Sequence, residues 1–360
     1  MKILIGIIAL LTALYLTLWP VPIDPKPWRP PVDAGYVGVH EKNNRLATIE
    51  RLSIAPRHGP EDITGGPDGV LYTVSAEGSV LAIQPDGSLQ VLFRAGGRPL
   101  GIELAADGAL IIANAELGLQ RVSPQKTIGV LTKQVAGTPI LYANNVAIAR
   151  DGRIYFSDAS THFAARKHGG SYQASLLDLM EHDPNGRVLV FDPENKTTEI
   201  IVDKLSFANG VALDPDQRYL LIAETGEYRI WRYWLSGKKR GQKEIIIDNL
   251  PGFPDNINTG LDGRFWVGLV APRSAQLDSL AGSPYIRKIV QRWPPALRPG
   301  AEPYAHVIAI DGDGNVLHDL QNDGSSIQAT TGVYETETDL YIASLTSWFI
   351  GRLPKSAIGL

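Results

Sequence analysis

Short apolar runs separated by turn residues recur along most of the chain. A turn, in most copies Asp-Gly, precedes an apolar run rich in β-branched and aromatic residues six times, and the last copy is degenerate. Asp-Gly before such a run is a strong signal for a β-hairpin. The six turns are marked by Asp68, Asp107, Asp151, Asp216, Asp262 and Asp339.

A second signature precedes each turn by several residues. Its form is X-x-aliphatic, and it starts at Glu61, Leu100, Asn144, Asn209, Asp255 and Thr331. Six copies with a base period of about 40–46 residues are typical of a propeller built from four-stranded blades. A β-sandwich gives no reason for six repeats in register, and a parallel βαβ fold needs helices between its strands.

We therefore predict an all-β fold, a six-bladed β-propeller, over residues 49–360. Two intervals between signatures are longer than the others, and they predict cap insertions at about 159–186 and 271–306.

The first residues of the chain differ from the repeats. Ile3 to Trp19 carries no charge, and a helix of this length reaches about 25 Å at about 1.5 Å per residue. We predict a single-pass transmembrane anchor over residues 1–19. The alternative is a cleaved signal peptide, but the bulky, Pro-rich end of the run lacks the small residues of a cleavage site.

Residues 20–48 are rich in proline, which predicts a semi-rigid, extended linker between the anchor and the propeller. Lys2 on the N-terminal side of the apolar run favours a cytoplasmic N-terminus. The propeller is then expected outside the cytoplasm, in the periplasm or a lumen.

Composition limits the possible partners and metal ligands. Lys and Arg total 34 and Asp and Glu total 38, so the formal net charge of −4 gives no reason to expect a nucleic-acid partner. The chain has no cysteine, which excludes disulfides, thiolate catalysis and Cys-ligated metals. Any metal must therefore be held by oxygen or nitrogen ligands.

Equivalent positions of successive blades form a ring around the channel of a propeller. Four of the six X residues carry a carboxylate or carboxamide, namely Glu61, Asn144, Asn209 and Asp255. Oxygens of this kind suit Ca²⁺, which takes six to eight oxygen ligands. No histidine occupies an X position, so zinc, copper or iron is disfavoured there. The alternative is that these residues serve turns and caps.

Longer motifs surround these positions. They are Gly59-Pro60-Glu61, Ile154–Ser160, Phe207–Val211, Leu250–Ile257, Phe265–Gly268, Leu340–Leu345 and Phe349–Leu353. In this order the chain resembles the strictosidine synthase-like family, within a wider group of calcium-dependent six-bladed propellers that includes paraoxonases and gluconolactonases. The resemblance implies that Glu61, Asn144, Asn209 and Asp255 are metal ligands, with Asn256 as a further candidate.

One departure from the family bears on the reaction. The plant synthases that condense an amine with an aldehyde have a catalytic glutamate at the ring position of the last blade, and here that residue is Thr331. A threonine hydroxyl does not act as a general base near neutral pH. The synthase reaction is therefore disfavoured.

We expect a membrane-anchored, calcium-dependent hydrolase that acts on a small ester or lactone. The metal polarises the carbonyl, and the candidate general bases are Asp255, which is also a ligand, and His162, at the start of the first insertion. The alternative is a non-enzymatic binding propeller whose calcium only ties the blades together, since a structural ion would use the same ligands.

Overall fold

The repeated sequence signatures become repeated strands. Each turn-plus-apolar run forms the second strand of a four-stranded antiparallel sheet, and each X-x-aliphatic signature lies on or next to the first strand. A computed structural model describes all 360 residues and contains six such sheets. The first strands contact one another in a closed ring. The fold is the six-bladed β-propeller that the sequence predicts.

The first three blades follow the order of the chain. From the innermost strand outwards, blade 1 comprises Ile63–Gly65, Leu71–Val74, Ser79–Ile83 and Leu89–Arg94. Blade 2 comprises Pro99–Leu104, Leu110–Asn114, Gly118–Val122 and Ile128–Thr132. Blade 3 comprises Ala143–Ile148, Ile154–Asp158, Gly186–Asp192 and Thr197–Leu205.

The remaining blades repeat this arrangement. Blade 4 comprises Ala208–Leu213, Tyr219–Glu224, Arg229–Trp234 and Lys243–Ile247. Blade 5 comprises Gly252–Thr259, Phe265–Pro272, Ala305–Ile310 and Val316–Asn322. Blade 6 comprises Thr330–Glu335, Asp339–Ser344, Phe349–Pro354 and Glu50–Ser53. A small hairpin pairs Gln134–Val135 with Thr138–Pro139.

Blade 6 joins the two ends of the propeller. Its outermost strand, Glu50–Ser53, comes from the N-terminal side and pairs antiparallel with Phe349–Pro354, with Glu50 opposite Arg352. The sequence repeats predict six blades but carry no signal for this closure, because the strand precedes the first repeat.

Asp62 connects four blades at the centre of the ring. One carboxylate oxygen accepts from the Ile63 amide (2.9 Å) and from Asn258 Nδ2 (3.0 Å). The other accepts from the Ile102 amide (3.1 Å) and from Asn145 Nδ2 (3.2 Å). These donors belong to blades 1, 5, 2 and 3, so a single buried carboxylate links four of the six sheets.

The two asparagines carry the network to the other blades. Asn145 Oδ1 accepts from the Val211 amide of blade 4, and Asn258 Oδ1 accepts from the Val333 amide of blade 6, both at 2.9 Å. The side chains of Asp62, Asn145 and Asn258, called here the central network, therefore reach all six blades. We missed it in the sequence, because only Asp62 and Asn145 share an equivalent position.

Glycine is required where the inner strands come closest. A Cβ atom on Gly210 would lie 2.3 Å from the Ile257 amide nitrogen, and one on Gly101 would lie 2.7 Å from the Asn145 Cα. Contacts this short do not occur in proteins without a shift of the backbone. These glycines allow the neighbouring strands to approach the axis.

The helices lie outside the repeats. They are α1 (Lys2–Leu18), α2 (Ser171–Glu181), α3 (Ala275–Leu280) and α4 (Pro284–Gln291). Short 3₁₀ turns occupy Gly38–His40, Ala165–His168, Thr225–Glu227, Pro295–Leu297 and Lys355–Ala357. Helices α2 to α4 fall inside the two predicted insertions, between the second and third strands of blades 3 and 5.

The two insertions pack together as one cap. Arg287 of α4 is fully buried and donates to the carbonyls of Met180 (2.8 Å) and Glu181 (3.3 Å) at the end of α2, and to Ala281 (3.1 Å). Carbonyl groups at the end of a helix lack intrahelical partners and carry partial negative charge. A guanidinium is well suited to satisfy them, and it joins the two insertions here.

The Pro-rich segment, for which the sequence predicts a semi-rigid, extended linker, packs on this cap. The Lys26 amide donates to the Glu181 carbonyl at 2.8 Å, and the Trp28 indole stacks on the His182 ring with centroids 3.8 Å apart. Ile23 is buried in the same apolar cluster as Leu277 of the cap. The segment is therefore a strap across the cap.

Helix α1 projects from the end of this strap. None of its 17 residues is buried, and its last turn is held by Arg292, whose Nη1 donates to the Leu16 carbonyl at 3.2 Å. No helix of the structure combines the length and the apolar character needed to cross a membrane. The transmembrane part of the prediction is thus not supported.

The central network predicts the effect of removing one charge. In Asp62→Asn an amide NH₂ replaces an oxygen that accepts two hydrogen bonds. The two groups that donated to that oxygen then face a donor instead of an acceptor. At a pH well above 6, where Asp62 is ionised, we expect a loss of about 2–3 kcal/mol in the free energy of unfolding, since hydrogen bonds to charged groups contribute about 1.5–3 kcal/mol. Denaturant titration measures it.

The matched control for this variant is Asp68→Asn. Asp68 lies in the exposed turn of the same blade, and asparagine serves that turn equally well. Equal stabilities of the two variants would contradict the role of the central network.

Candidate metal centre in the channel

A cavity of about 230 Å³ lies over the central ring, beneath the cap. Five of the six X residues line it, namely Glu61, Leu100, Asn144, Asn209 and Asp255. The walls are largely apolar and come from both the propeller and the cap, including Tyr142, Phe207, Phe253, Leu277 and Leu179. The structure therefore brings together four of the predicted metal ligands at the bottom of one pocket.

β-Bulges direct the ring side chains into this cavity. In blades 3, 4 and 5 the inner strand contains one extra residue relative to its partner, between Ala143 and Val146, between Ala208 and Val211, and between Pro254 and Ile257. Each bulge contains an X residue. Because a bulge redirects a side chain and breaks the ladder, it explains how residues within sheets present their oxygens to the axis.

Three oxygens of the X residues have no hydrogen-bond partner. They are Glu61 Oε2, Asn144 Oδ1 and Asn209 Oδ1, and all are buried. Asn209 Nδ2 donates to Thr225 Oγ1 (3.1 Å), and Thr225 Oγ1 donates to the Pro254 carbonyl (2.7 Å), which fixes the orientation of the Asn209 amide. Buried acceptors without partners are rare in proteins and require an explanation.

Burial disfavours the charged forms of the two carboxyl groups. It raises the pKa of Glu61 well above its ordinary value, and the neighbouring Asp255 raises it further. Burial likewise raises the pKa of Asp255 to about 7. The buried Arg98 guanidinium acts in the opposite direction on both pKa values. Both groups still keep their protons to a higher pH than exposed carboxyl groups do.

The donor set fits a calcium ion. Two carboxylates would balance its two charges, and two carboxamide oxygens without other partners would complete a hard-oxygen shell that water can fill. The ligand assignment remains a prediction that this geometry supports.

Two other ring residues have different surroundings. Asn256 is fully buried but does not line the cavity; its Nδ2 donates to the Glu61 carbonyl at 3.0 Å, and its Oδ1 has no partner. Thr331 donates its hydroxyl to the same carbonyl at 2.6 Å. Both residues hold the Glu61 backbone in place, and Thr331 contributes no acid or base to the cavity.

His162 lies away from the ring. It does not line the channel cavity; it borders a separate surface pocket beside the strap, where its Nδ1 contacts Glu181 Oε1 at 2.7 Å. Its side chain is 44% exposed. The structure does not bring this candidate base together with Asp255, which lines the channel cavity.

Polar residues at the ends of the second strands position the loops that lead to the ring. Asp158 accepts from the Tyr142 amide at 2.8 Å and pairs with Arg187 at 2.9 Å. Glu224 accepts from the Ser206 amide at 2.8 Å in the next blade. These acids stand at repeat-equivalent positions, and that recurrence is the signal by which the sequence could have revealed them.

Fold and site together define a six-bladed propeller with an oxygen-rich ring at the bottom of a capped channel. Two family models match the chain, strictosidine synthase over residues 144–238 and strictosidine synthase-like, N-terminal, over residues 38–83.

Relatives cover nearly the whole chain. It is 32% identical over 362 residues to adipocyte plasma membrane-associated protein of Rattus norvegicus, covering 94% of both chains, and 31% identical over 365 residues to that of Homo sapiens, covering 94% of this chain and 85% of the relative. Protein strictosidine synthase-like 13 of Arabidopsis thaliana is 38% identical over 233 residues, covering 63% and 56%. The chain belongs to the strictosidine synthase-like family, together with the adipocyte plasma membrane-associated proteins.

Solved structures agree on the fold. A gluconolactonase from Xanthomonas campestris matches with a TM-score of 0.63 and 19% identity, covering 93% of this chain and 96% of that one. The calcium-binding protein regucalcin from Agrobacterium tumefaciens matches with a TM-score of 0.58 and 13% identity, covering 84% and 92%.

The raised pKa values predict how calcium stabilisation depends on pH. In the metal-free protein the folded state binds more protons than the unfolded chain between the ordinary carboxyl pKa of 3.8 and about 7, so its stability falls as pH rises through this window. Calcium requires ionised ligands, and its binding releases those protons. The Ca²⁺-induced rise in Tm should therefore grow from pH 5 to pH 8.

The control for this experiment is Asp262→Asn, which changes an exposed turn carboxylate (84% exposed) and should leave the shift intact. Asp255→Asn should abolish most of it. A calcium shift that is independent of pH, or that survives in Asp255→Asn, would refute the ring as the binding site.

Proposed function

We propose that the protein is a calcium-dependent hydrolase of carboxylic esters or lactones. The observation that carries the proposal is the group of buried, unpartnered oxygens of Glu61, Asn144 and Asn209 beneath an apolar cavity that Asp255 also lines. The similarity of the fold to a gluconolactonase and to a calcium-binding regucalcin supports the choice of ion and of reaction class.

Glu61, Asn144, Asn209 and Asp255 would hold the ion. When bound, calcium supplies Lewis-acid polarisation of a carbonyl oxygen and stabilises the negative charge that develops on it. The protein keeps the Glu61 ligand in position through its own backbone, because Thr331 and Asn256 both donate to the Glu61 carbonyl.

The remaining roles belong to side chains around the cavity. Asp255 is the proposed acceptor of the proton from the attacking water. Its carboxylate lines the cavity, and no histidine lines it. Phe207, Phe253 and Leu277 offer apolar contact to the acyl or aryl part of a substrate. Helix α2 roofs the cavity through Leu176 and Leu179 and limits the access of bulk water.

A calcium-stabilised binding propeller without catalysis is the second candidate. It is favoured by the origin of the ring ligands, which come from blades 1, 3, 4 and 5, so the same ion would tie sheets together. The two candidate functions share their calcium ligands. They differ in whether the protein also turns over a substrate, with Asp255 as the general base.

We also propose that α1 attaches the protein to a membrane. The apolar side chains of α1 are exposed on all faces, for example Ile3 (82%) and Leu10 (60%). Relatives of the whole chain are named plasma membrane-associated proteins. Exposed apolar surface of this extent on one element marks a lipid or protein contact. An extracytoplasmic location of the propeller remains part of this proposal.

Activity provides the first test. The purified protein should hydrolyse aryl esters or lactones, and chelation of calcium should abolish the reaction, with recovery when calcium is restored. Asp255→Ala should lower kcat by at least about 100-fold, as expected for loss of a general base, while Asp262→Asn retains full activity.

Full activity after complete removal of calcium, or in Asp255→Ala, would overturn the hydrolase mechanism. Saturable calcium binding with no hydrolysis across a broad panel of esters and lactones would favour the binding propeller.

Fractionation tests the membrane attachment. The full chain should sediment with membranes, whereas a variant lacking residues 1–19 should remain in the supernatant. Membrane binding that survives deletion of α1 would assign the attachment to another surface. Recovery of the full chain in the supernatant would contradict the proposal.

A further inference from the structure

A second group of metal-ligating side chains lies outside the channel cavity. It consists of His40, His306 and Asp319. His40 ends the 3₁₀ turn Gly38–His40 in the segment that precedes the closing strand. His306 and Asp319 lie on the third and fourth strands of blade 5. None of the three lines the channel cavity.

The two imidazoles meet at one carboxylate oxygen. His40 Nδ1 and His306 Nε2 both lie 2.8 Å from Asp319 Oδ2. The antiparallel register makes this possible, because Ile308 is opposite Asp319, and His306 lies two residues away on the same face. Two nitrogens and one oxygen therefore converge, in a set that suits a divalent transition metal.

A second layer of contacts orients the carboxylate. Its other oxygen, Oδ1, accepts from Asn43 Nδ2 at 3.2 Å and from Gln321 Nε2. Gln321 Nε2 also donates to the His40 carbonyl at 3.2 Å. Metal-binding carboxylates and histidines are held by outer contacts of this kind, and here they leave Oδ2 directed at the imidazoles.

The two blade 5 members of the cluster are buried. The His306 side chain is 1% exposed and that of Asp319 is 6% exposed. The His306 ring makes one hydrogen bond, through Nε2 to Asp319 Oδ2, because its Nδ1 has no partner. No other hydrogen bond of this ring would have to break for a metal to bind at Nε2.

We propose that His40, His306 and Asp319 form a binding site for a divalent transition metal, for which zinc is the probe. The ligands are His40 Nδ1, His306 Nε2 and Asp319 Oδ2. Water would supply the fourth ligand from the side of His40, which at 16% is the most exposed of the three side chains. Small outward movements would accommodate Zn–N and Zn–O bonds of about 2.0–2.2 Å. Calcium is disfavoured here because imidazole is a poor ligand for it.

The site would act as a clasp. It joins the N-terminal segment to blade 5, directly before the strand Glu50–Ser53 closes blade 6. Metal bound only in the folded protein would stabilise this attachment. The clasp uses different residues and a different ion from the channel ring, so it stands independently of the proposed hydrolase activity.

The test uses the full chain without a polyhistidine tag and with the channel ring saturated with calcium. Zinc should bind with one equivalent by calorimetry and raise Tm by about 3 °C at roughly 100-fold excess over Kd. Cobalt as a substitute should give the visible absorption of a four-coordinate site. His40→Asn should remove the shift and the spectrum.

Two further variants keep the result interpretable. His306→Asn should also abolish binding, but its burial can compromise folding, so the partly exposed His40 is the decisive position. His162→Asn changes a histidine in another cluster, with Glu181 and Asp183, and should bind zinc normally. Failure of the wild-type chain to bind zinc, retention of binding in His40→Asn, or loss of binding in His162→Asn would overturn the proposal.

Discussion

The six sheets share no strands, so the hydrogen bonds within the sheets cannot hold the blades to one another. The carboxylate of Asp62 provides the connection at the centre, with four donors from blades 1, 2, 3 and 5, and Asn145 and Asn258 extend it to blades 4 and 6. Burial raises the pKa of Asp62 to about 6, and the hydrogen bonds counteract that rise. Six similar blades are therefore joined by a contact that is not repeated in each blade, because only blade 1 supplies a carboxylate to the central network.

The candidate metal centre depends on this arrangement. Where the central network holds the inner strands together, bulges in blades 3, 4 and 5 turn Asn144, Asn209 and Asp255 toward the cavity. Asn144 Oδ1 and Asn209 Oδ1 are left without partners, while Asn209 Nδ2 donates to Thr225. The contacts that join the blades at the axis and the candidate metal ligands at the cavity are thus neighbouring residues of the same strands.

The repeats determine which features of the structure could be predicted from the sequence. The six blades, both insertions and four ring residues follow from recurrence, since equivalent positions must meet at one axis. Features that occur once were missed: the closing strand Glu50–Ser53, the role of Asn258, and the meeting of His40 with Asp319, which are 279 residues apart. His162 was misplaced for the same reason, because the direction of an insertion depends on tertiary packing, such as the buried Arg287, and no local pattern encodes it.

The closing strand has a consequence for biosynthesis. Glu50–Ser53 leaves the ribosome before any complete blade, whereas its partner Phe349–Pro354 follows about 300 residues later. The N-terminal strand therefore stays unpaired until Phe349–Pro354 has been translated, and the ring cannot close before then. A contact of such long sequence separation slows folding, and the unpaired edge exposes the nascent chain to aggregation. Synthesis of Phe349–Pro354 thus sets the earliest point at which the propeller becomes a closed ring.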